Sequence, residues 1–76
     1  MATVDLVING TKEIRLHFNG ARWEIGGLPD AVGLKASEVV TYLEDENYIS
    51  PSDAPMVKRI LKRARKAQIA DYPYLG

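Results

Sequence analysis

The N-terminal third of the chain alternates apolar and polar residues in three short runs, and this pattern limits the fold more than any other feature. The dipeptides Asn9-Gly10 and Asn19-Gly20 separate the runs. An Asn-Gly pair between alternating runs is a strong hairpin signal, because both residues tolerate the positive φ of a tight turn. Residues 3–25 therefore predict a three-stranded antiparallel β-meander with one apolar face.

The apolar face sets the expected register of each hairpin. A two-residue turn at 19–20 pairs Phe18 with Ala21 and keeps the apolar side chains of the second and third strands together. The same kind of turn in the first hairpin would bury the Glu13 carboxylate. We therefore expect a bulged three-residue loop at 9–11, which keeps the apolar residues of the first two strands opposite each other.

The two faces of this meander differ in character. In the first hairpin the expected register places Leu6 opposite Ile14 on the apolar side. On the polar side it places Arg15 between the carboxylates of Asp5 and Glu24. Opposite charges on neighbouring strands are usual on a solvated sheet face, so we expect the polar side to face water.

Two helical patterns follow the meander. Residues 35–46 place apolar side chains at helical spacing, which predicts a helix that covers the sheet. A proline followed by an aspartate suits a short helical turn at 29–33. The final helix is expected over 54–70, with Asp53 as its N-cap. The apolar tail, 71–76, is expected to pack back on the domain.

The predicted fold is α+β: a three-stranded antiparallel β-meander packed on one face by two main α-helices, in the order β-β-β-α-α. With 76 residues, 46% of them hydrophobic, the chain suits one small domain. The absence of cysteine excludes a disulfide framework and a thiolate metal site. The single domain, 1–76, divides into the β-meander 1–25, the acidic helical segment 29–46, the basic amphipathic helix 54–70 and the apolar tail 71–76.

The final helix carries the most distinctive charge pattern of the chain. When it is wound at ~100° per residue, its apolar side chains share an arc of roughly 140° and its cations fill the opposite arc. Six of the ten Lys and Arg residues belong to it. They are Lys58, Arg59, Lys62, Arg63, Arg65 and Lys66.

Charge is distributed unevenly along the chain, although the formal net charge is +0. Residues 1–55 hold nine of the ten acidic residues, whereas residues 56–76 hold six of the ten basic ones. Glu44, Asp45 and Glu46 are expected at the C-terminal end of a helix, where the helix dipole disfavours negative charge. The basic helix either neutralises this acidic cluster, through Lys58, Arg59 and Lys62, or presents its cations to a partner.

Residues 28–43 resemble the helix-turn-helix family of DNA-binding motifs. The resemblance rests on Gly33 at the turn, Leu34 after it, and Val39 and Leu43 inside the second helix. A proline inside the would-be first helix and the acidic cluster after the second depart from the family pattern. We therefore do not assign the chain to this family and expect nucleic acid to contact the basic last helix instead.

The sequence contains no catalytic or metal-binding motif. His17 is the only histidine and cysteine is absent, so neither a hydrolase triad nor a zinc site of the usual ligands can be assembled. A signal peptide and an apolar run of about 20 residues are also missing. We therefore expect a non-catalytic cytoplasmic protein with no cofactor, no membrane partner and no small-molecule substrate.

Two functions fit this surface. The first is a small protein whose six helix cations contact nucleic-acid phosphates, with strong salt dependence and little sequence preference. The second is a protein–protein interaction module, such as an adaptor, an inhibitor or a virus-type accessory factor, acting as a monomer or homodimer. It would dock an acidic protein surface on the basic helix or use the C-terminal tail. The tail residues proposed for contact are Tyr72, Tyr74 and Leu75.

Overall fold

The fold is α+β, as predicted. The structure, a computed structural model, describes residues 2–8, 10 and 12–75. Its elements are β1 (Ala2–Ile8), β2 (Lys12–Phe18), β3 (Trp23–Ile25), α1 (Ala36–Asp45), α2 (Ala54–Ala67), β4 (Ala70–Asp71) and β5 (Tyr74–Leu75). Within this part of the chain, neither α1 nor α2 has the length and apolarity of a transmembrane helix.

The sheet is mixed and five-stranded, so the prediction of a purely antiparallel three-stranded meander was wrong. The strand order is β3-β2-β1-β4, and β5 also pairs with β1. Both C-terminal strands run parallel to β1, with Thr3 opposite Ala70 and Val7 opposite Tyr74. The sequence did not reveal these strands because Pro73 divides them into pieces of two residues, too short to show an alternating pattern. β1 is therefore an interior strand rather than an edge.

The first hairpin has the predicted register. Leu6 lies opposite Ile14, and Val4 lies opposite Leu16. Asn9 and Thr11, which belong to the expected bulged loop, lie outside the described residues. The pairing follows from the apolar pattern, because a slip of one residue would turn every core side chain of one strand towards water.

The second hairpin has a different register from the predicted one. Phe18 pairs with Trp23 rather than with Ala21, and the loop contains four residues instead of two. The side-chain oxygen of Asn19 accepts hydrogen bonds from the backbone N–H groups of Ala21, at 3.0 Å, and Arg22, at 2.9 Å. This Asx-type turn stabilises the longer loop. The Phe18 and Trp23 rings then pack with their centroids 5.2 Å apart.

The segment between the sheet and α1 is a loop, so the helical turn expected at 29–33 was wrong. A tight turn forms instead, in which the Ala31 N–H donates to the Leu28 carbonyl at 3.0 Å. The chain then returns along β3, where Trp23 and Leu34 exchange two backbone hydrogen bonds of 2.8 and 2.9 Å. Because no helix precedes α1 in residues 28–35, the resemblance to helix-turn-helix motifs does not extend to the structure.

The ends of α1 are closed by local hydrogen bonds. At its start, the Lys35 N–H donates to the Glu38 carboxylate at 2.8 Å. At its end, Asn47 adopts a left-handed conformation with φ of 60°, and the Tyr48 N–H donates to the Leu43 carbonyl at 2.9 Å. This Schellman arrangement turns the chain sharply. It leads directly into Ile49, which is buried.

The ends of α2 differ in part from the expectation. Asp53 occupies the N-cap position, but its carboxylate accepts a hydrogen bond from the Ser50 hydroxyl at 3.0 Å rather than from a helix amide. Pro55 lies in the first turn, where its missing N–H costs no hydrogen bond. The helix ends at Ala67 because Gln68 takes a left-handed conformation with φ of 55°. The chain can then enter β4.

The core lies between the sheet and the two helices. One face of each strand meets the apolar stripes of α1 and α2, as the spacing predicts. Leu75 of the tail joins this core at 6% exposure, so the tail packs back as expected. The largest fully buried side chains are Trp23, Leu6, Leu16, Leu43, Leu61, Val4, Val39 and Val57.

The Asn19 turn is tested by Asn19→Ala. We expect the free energy of unfolding to fall by about 1 kcal/mol, because two loop amides lose their acceptor. Asn19→Asp keeps an acceptor oxygen and should cost clearly less. Urea unfolding monitored by Trp23 fluorescence measures both, and equal stability of the two variants would contradict this role of the side chain.

The contribution of the tail to the core is tested by Leu75→Ala. Removing this buried side chain should lower the free energy of unfolding by about 2 kcal/mol or more. Tyr74→Thr is the control, because Tyr74 is 77% exposed and an exposed substitution should cost about 0.5 kcal/mol or less. Equal midpoints in urea for the two variants would show that β5 does not dock on β1.

Candidate nucleic-acid interface

The outer side of α2 is a continuous basic surface, formed by Lys58, Arg59, Lys62, Arg63, Arg65 and Lys66. All six side chains are exposed, whereas Val57, Ile60, Leu61 and Ala64 are buried on the opposite side. The apolar spacing of the helix therefore docks one side on β1 and α1 and leaves the cations facing outwards. The structure brings all six predicted residues together on one surface.

Of the two alternatives left open by the sequence, direct pairing of the basic surface with the acidic cluster, Glu44–Glu46, is not seen in the part of the chain that the structure describes. Among residues 2–8, 10 and 12–75, only Arg15–Asp5 and Arg63–Asp71 form ion pairs. The α1–α2 connection brings the end of α1 near the start of α2, but the cations of α2 point away from the core. No direct ion pair therefore joins the acidic cluster to the basic surface within the described residues.

The six cations differ in what they contact. Arg63 pairs with Asp71 while its side chain stays 64% exposed. The Arg65 guanidinium lies 6.0 Å from the centre of the Phe18 ring, at the outer limit of a cation–π contact. Within the described residues, the remaining four cations have no carboxylate partner. These four are Lys58, Arg59, Lys62 and Lys66.

The shape of the basic surface suits an elongated anion. From Lys58 to Lys66 the helix rises about 12 Å, and every fourth residue in this row is a lysine. An open groove of about 620 Å³ runs beside the row. Met56 and Ile60 contribute apolar surface to this groove, and Arg59, Lys62 and Arg63 contribute charge. Cations in such a row can neutralise several successive phosphates at once.

Asp71 connects the basic surface to the C-terminal edge of the sheet. One of its carboxylate oxygens accepts from the Arg63 guanidinium, and the other accepts from the Tyr72 N–H at 2.9 Å. Sequence reasoning missed this role, because an acid placed after a helix end carries no periodic signal. The bridge connects α2 to β4, which Asp71 ends. The residues that follow carry the exposed rings of Tyr72, at 61%, and Tyr74, at 77%.

The tail residues that we proposed for partner contact therefore lie in different places. Tyr72 and Tyr74 are exposed on the edge of the sheet, whereas Leu75 is buried among core residues. A partner can reach the two rings without unfolding the domain. It cannot reach Leu75 unless the last strand detaches.

A second groove, of about 650 Å³, lies between α1 and the loop before it. Asp30, Glu38 and Asp45 give it negative charge over an apolar floor. Tyr42 also lines this groove, and partial burial raises the pKa of its hydroxyl, with Glu46 adding to the effect. These carboxylates disfavour an anionic ligand, so this groove is not a candidate phosphate site.

The polar side of the sheet contains a buried charge that the sequence did not reveal. Asp5 is only 3% exposed, although we expected a solvated side chain. Arg15 reaches one of its oxygens at 3.2 Å, and the other oxygen is buried with no hydrogen-bond partner among the described residues. Asp5 lies on β1, which has β2 on one side and the C-terminal strands on the other, so it is not at an edge of the sheet. Glu24 lies opposite His17 instead of opposite Arg15, because the second hairpin has the longer loop.

The described residues contain no group of three or more His, Asp or Glu side chains that could hold a metal ion. His17 lies on β2, opposite Thr3 on one side and Glu24 on the other.

Comparison with protein-family models, curated proteins and solved structures gave no match. The basic surface is therefore the feature from which a function can be inferred.

The Asp5–Arg15 pair is tested by a double-mutant cycle. Arg15→Gln should lower the free energy of unfolding by about 1–3 kcal/mol, because it leaves a buried carboxylate without a counter-charge. Asp5→Thr removes the unpartnered oxygen and should cost less. In the Asp5→Thr background, Arg15→Gln should change stability by about 0.5 kcal/mol or less. Equal effects of Arg15→Gln in both backgrounds would mean that the pair contributes nothing.

Proposed function

We propose that this chain is a small non-catalytic protein that binds nucleic acid through the phosphates, on the basic surface of α2. The proposal rests on one observation, that four of the six cations form no ion pair with a carboxylate in the described residues. Lys58, Arg59, Lys62 and Lys66 are exposed and have no carboxylate partner among the described residues. Placing four unpaired cations on one helix face costs free energy through mutual repulsion, and a polyanion removes that cost.

The expected binding is driven mainly by counterion release. Each phosphate that a cation neutralises frees condensed counterions, so the affinity falls steeply as salt rises. Arg59 adds a planar guanidinium that can hold two oxygens of one phosphate. None of these contacts reads a base, so sequence preference should be weak. The acidic groove beside α1 orients the complex, because it must face away from the nucleic acid.

An acidic protein surface is the second candidate partner. It is favoured by the exposure of Tyr72 and Tyr74, because exposed tyrosines are enriched at protein interfaces. In this case the domain would act as an adaptor, an inhibitor or a virus-type accessory factor, as a monomer or homodimer. A cytoplasmic location is supported for either function by the absence of cysteine, since stability does not depend on an oxidising compartment.

The proposal is tested by Lys62→Gln/Lys66→Gln in a salt titration of binding to duplex and single-stranded DNA. Removing two phosphate contacts should weaken binding at low salt and make the plot of log K against log salt less steep by about two units. Fluorescence anisotropy of labelled DNA measures both effects.

The matched control is Arg22→Gln/Lys35→Gln, which removes the same charge from exposed positions outside α2. This variant should keep the salt slope of the wild type. Equal losses in the two variants would show that only the net charge matters. No binding at low salt by the wild type would overturn the nucleic-acid proposal and favour the acidic protein partner.

A further inference from the structure

The two exposed tyrosines of the tail lie side by side on the outer face of the sheet. Tyr74 is opposite Val7, and Leu75 beside it points into the core, so the Tyr74 ring is on the side away from the helices. Tyr72 follows Asp71, which is opposite Val4; it therefore lies on the same outer side, level with Asp5. Two neighbouring rings with 61% and 77% exposure form an aromatic surface that the domain itself does not cover.

We propose that Tyr72 and Tyr74 stack on unpaired bases, so that the ligand of this protein is single-stranded nucleic acid rather than duplex. The inference rests on the proposed phosphate binding by α2 and adds that the bound nucleic acid is single-stranded. Aromatic rings stack on every base, because each base has a π-face. In a duplex these faces are covered by neighbouring base pairs, so only an unpaired strand can offer them.

The spacing of the two rings also favours a single-stranded ligand over a duplex. Residues two apart on a strand are separated by about 6.6 Å, whereas successive bases along one strand of duplex DNA are about 3.4 Å apart. Two adjacent bases on the two rings must therefore be pulled out of contact with each other. A flexible single strand can extend in this way, and a base-paired strand cannot.

The aromatic surface and the basic surface lie on opposite sides of the sheet and approach each other at its β4 edge, where α2 packs against β4. Asp71 accepts hydrogen bonds from both the Arg63 guanidinium and the Tyr72 N–H, so the first ring follows directly after the residue that contacts α2. A strand whose phosphates lie along α2 can pass over the edge of the sheet and meet Tyr72 and then Tyr74. Arg15 lies in the same row of the outer face as Asp5. It pairs with Asp5, but its side chain is 68% exposed, so it can contact a phosphate at the same time.

The test compares three ligands of equal length: oligothymidylate, a strand of abasic sites with the same phosphates, and duplex DNA. The protein variants are Tyr72→Thr/Tyr74→Thr, which keeps strand propensity but removes the rings, and Tyr72→Phe/Tyr74→Phe, which keeps the rings. Wild type should bind oligothymidylate about 100-fold more tightly than the abasic strand, since each stacked base contributes roughly tenfold. The Phe variant should keep this preference and the Thr variant should lose it, with duplex binding unchanged.

The outcomes separate this inference from the function on which it rests. Equal affinity of wild type for oligothymidylate and the abasic strand would overturn the stacking proposal while leaving phosphate binding intact, and it needs no variant to fold. Full preference retained by a folded Thr variant would also overturn it. If the wild type binds none of the three ligands at low salt, phosphate binding fails and stacking fails with it.

Discussion

The parallel pairing of β4 and β5 with β1 is the interaction on which the rest of the structure depends. It turns β1 from an edge into an interior strand, and it brings Leu75 into the core. It also leaves Asp5 on an interior strand. Since a domain of this size has only a marginal core, the pairing of β4 and β5 with β1 stabilises the fold as well as placing the two exposed tyrosines on the outer face of the sheet.

The second organising feature is the separation of charge. The acids at the end of α1 and the cations of α2 are close in sequence, but they do not pair within the described residues. The apolar stripe of α2 decides this, because burying Val57 and Leu61 forces the cations to the opposite side. The domain thus has a positively charged side, formed by α2, and a negatively charged side, formed by the end of α1 and the groove beside it. Among the described residues, Asp71 of β4 is the one acid that pairs with a cation of the basic surface, and the two exposed tyrosines follow it in the chain.

The periodic spacing of apolar residues predicted some features of the fold and left others open. It predicted the register of the first hairpin, the stripe of α1 and the two arcs of α2, because each alternative would have exposed core side chains. It did not decide the register of the second hairpin, since a shift of two residues keeps the same side chains on the same face. That choice depended on the Asn19 side chain and on the packing of Phe18 against Trp23. The expected turn at 29–33 failed because the backbone of Leu34 pairs with β3.

The sequence by itself determined which side chains face the core and where the cations of the candidate site lie, because these follow from local spacing along one helix or strand. Only the tertiary structure decided which strand is interior, which cations have a partner and which tail residues are exposed. These outcomes depend on contacts between segments far apart in the chain, such as Val7 with Pro73. A strand of two residues gains its stability from the strand beside it and not from its own composition. The local sequence pattern therefore does not predict it.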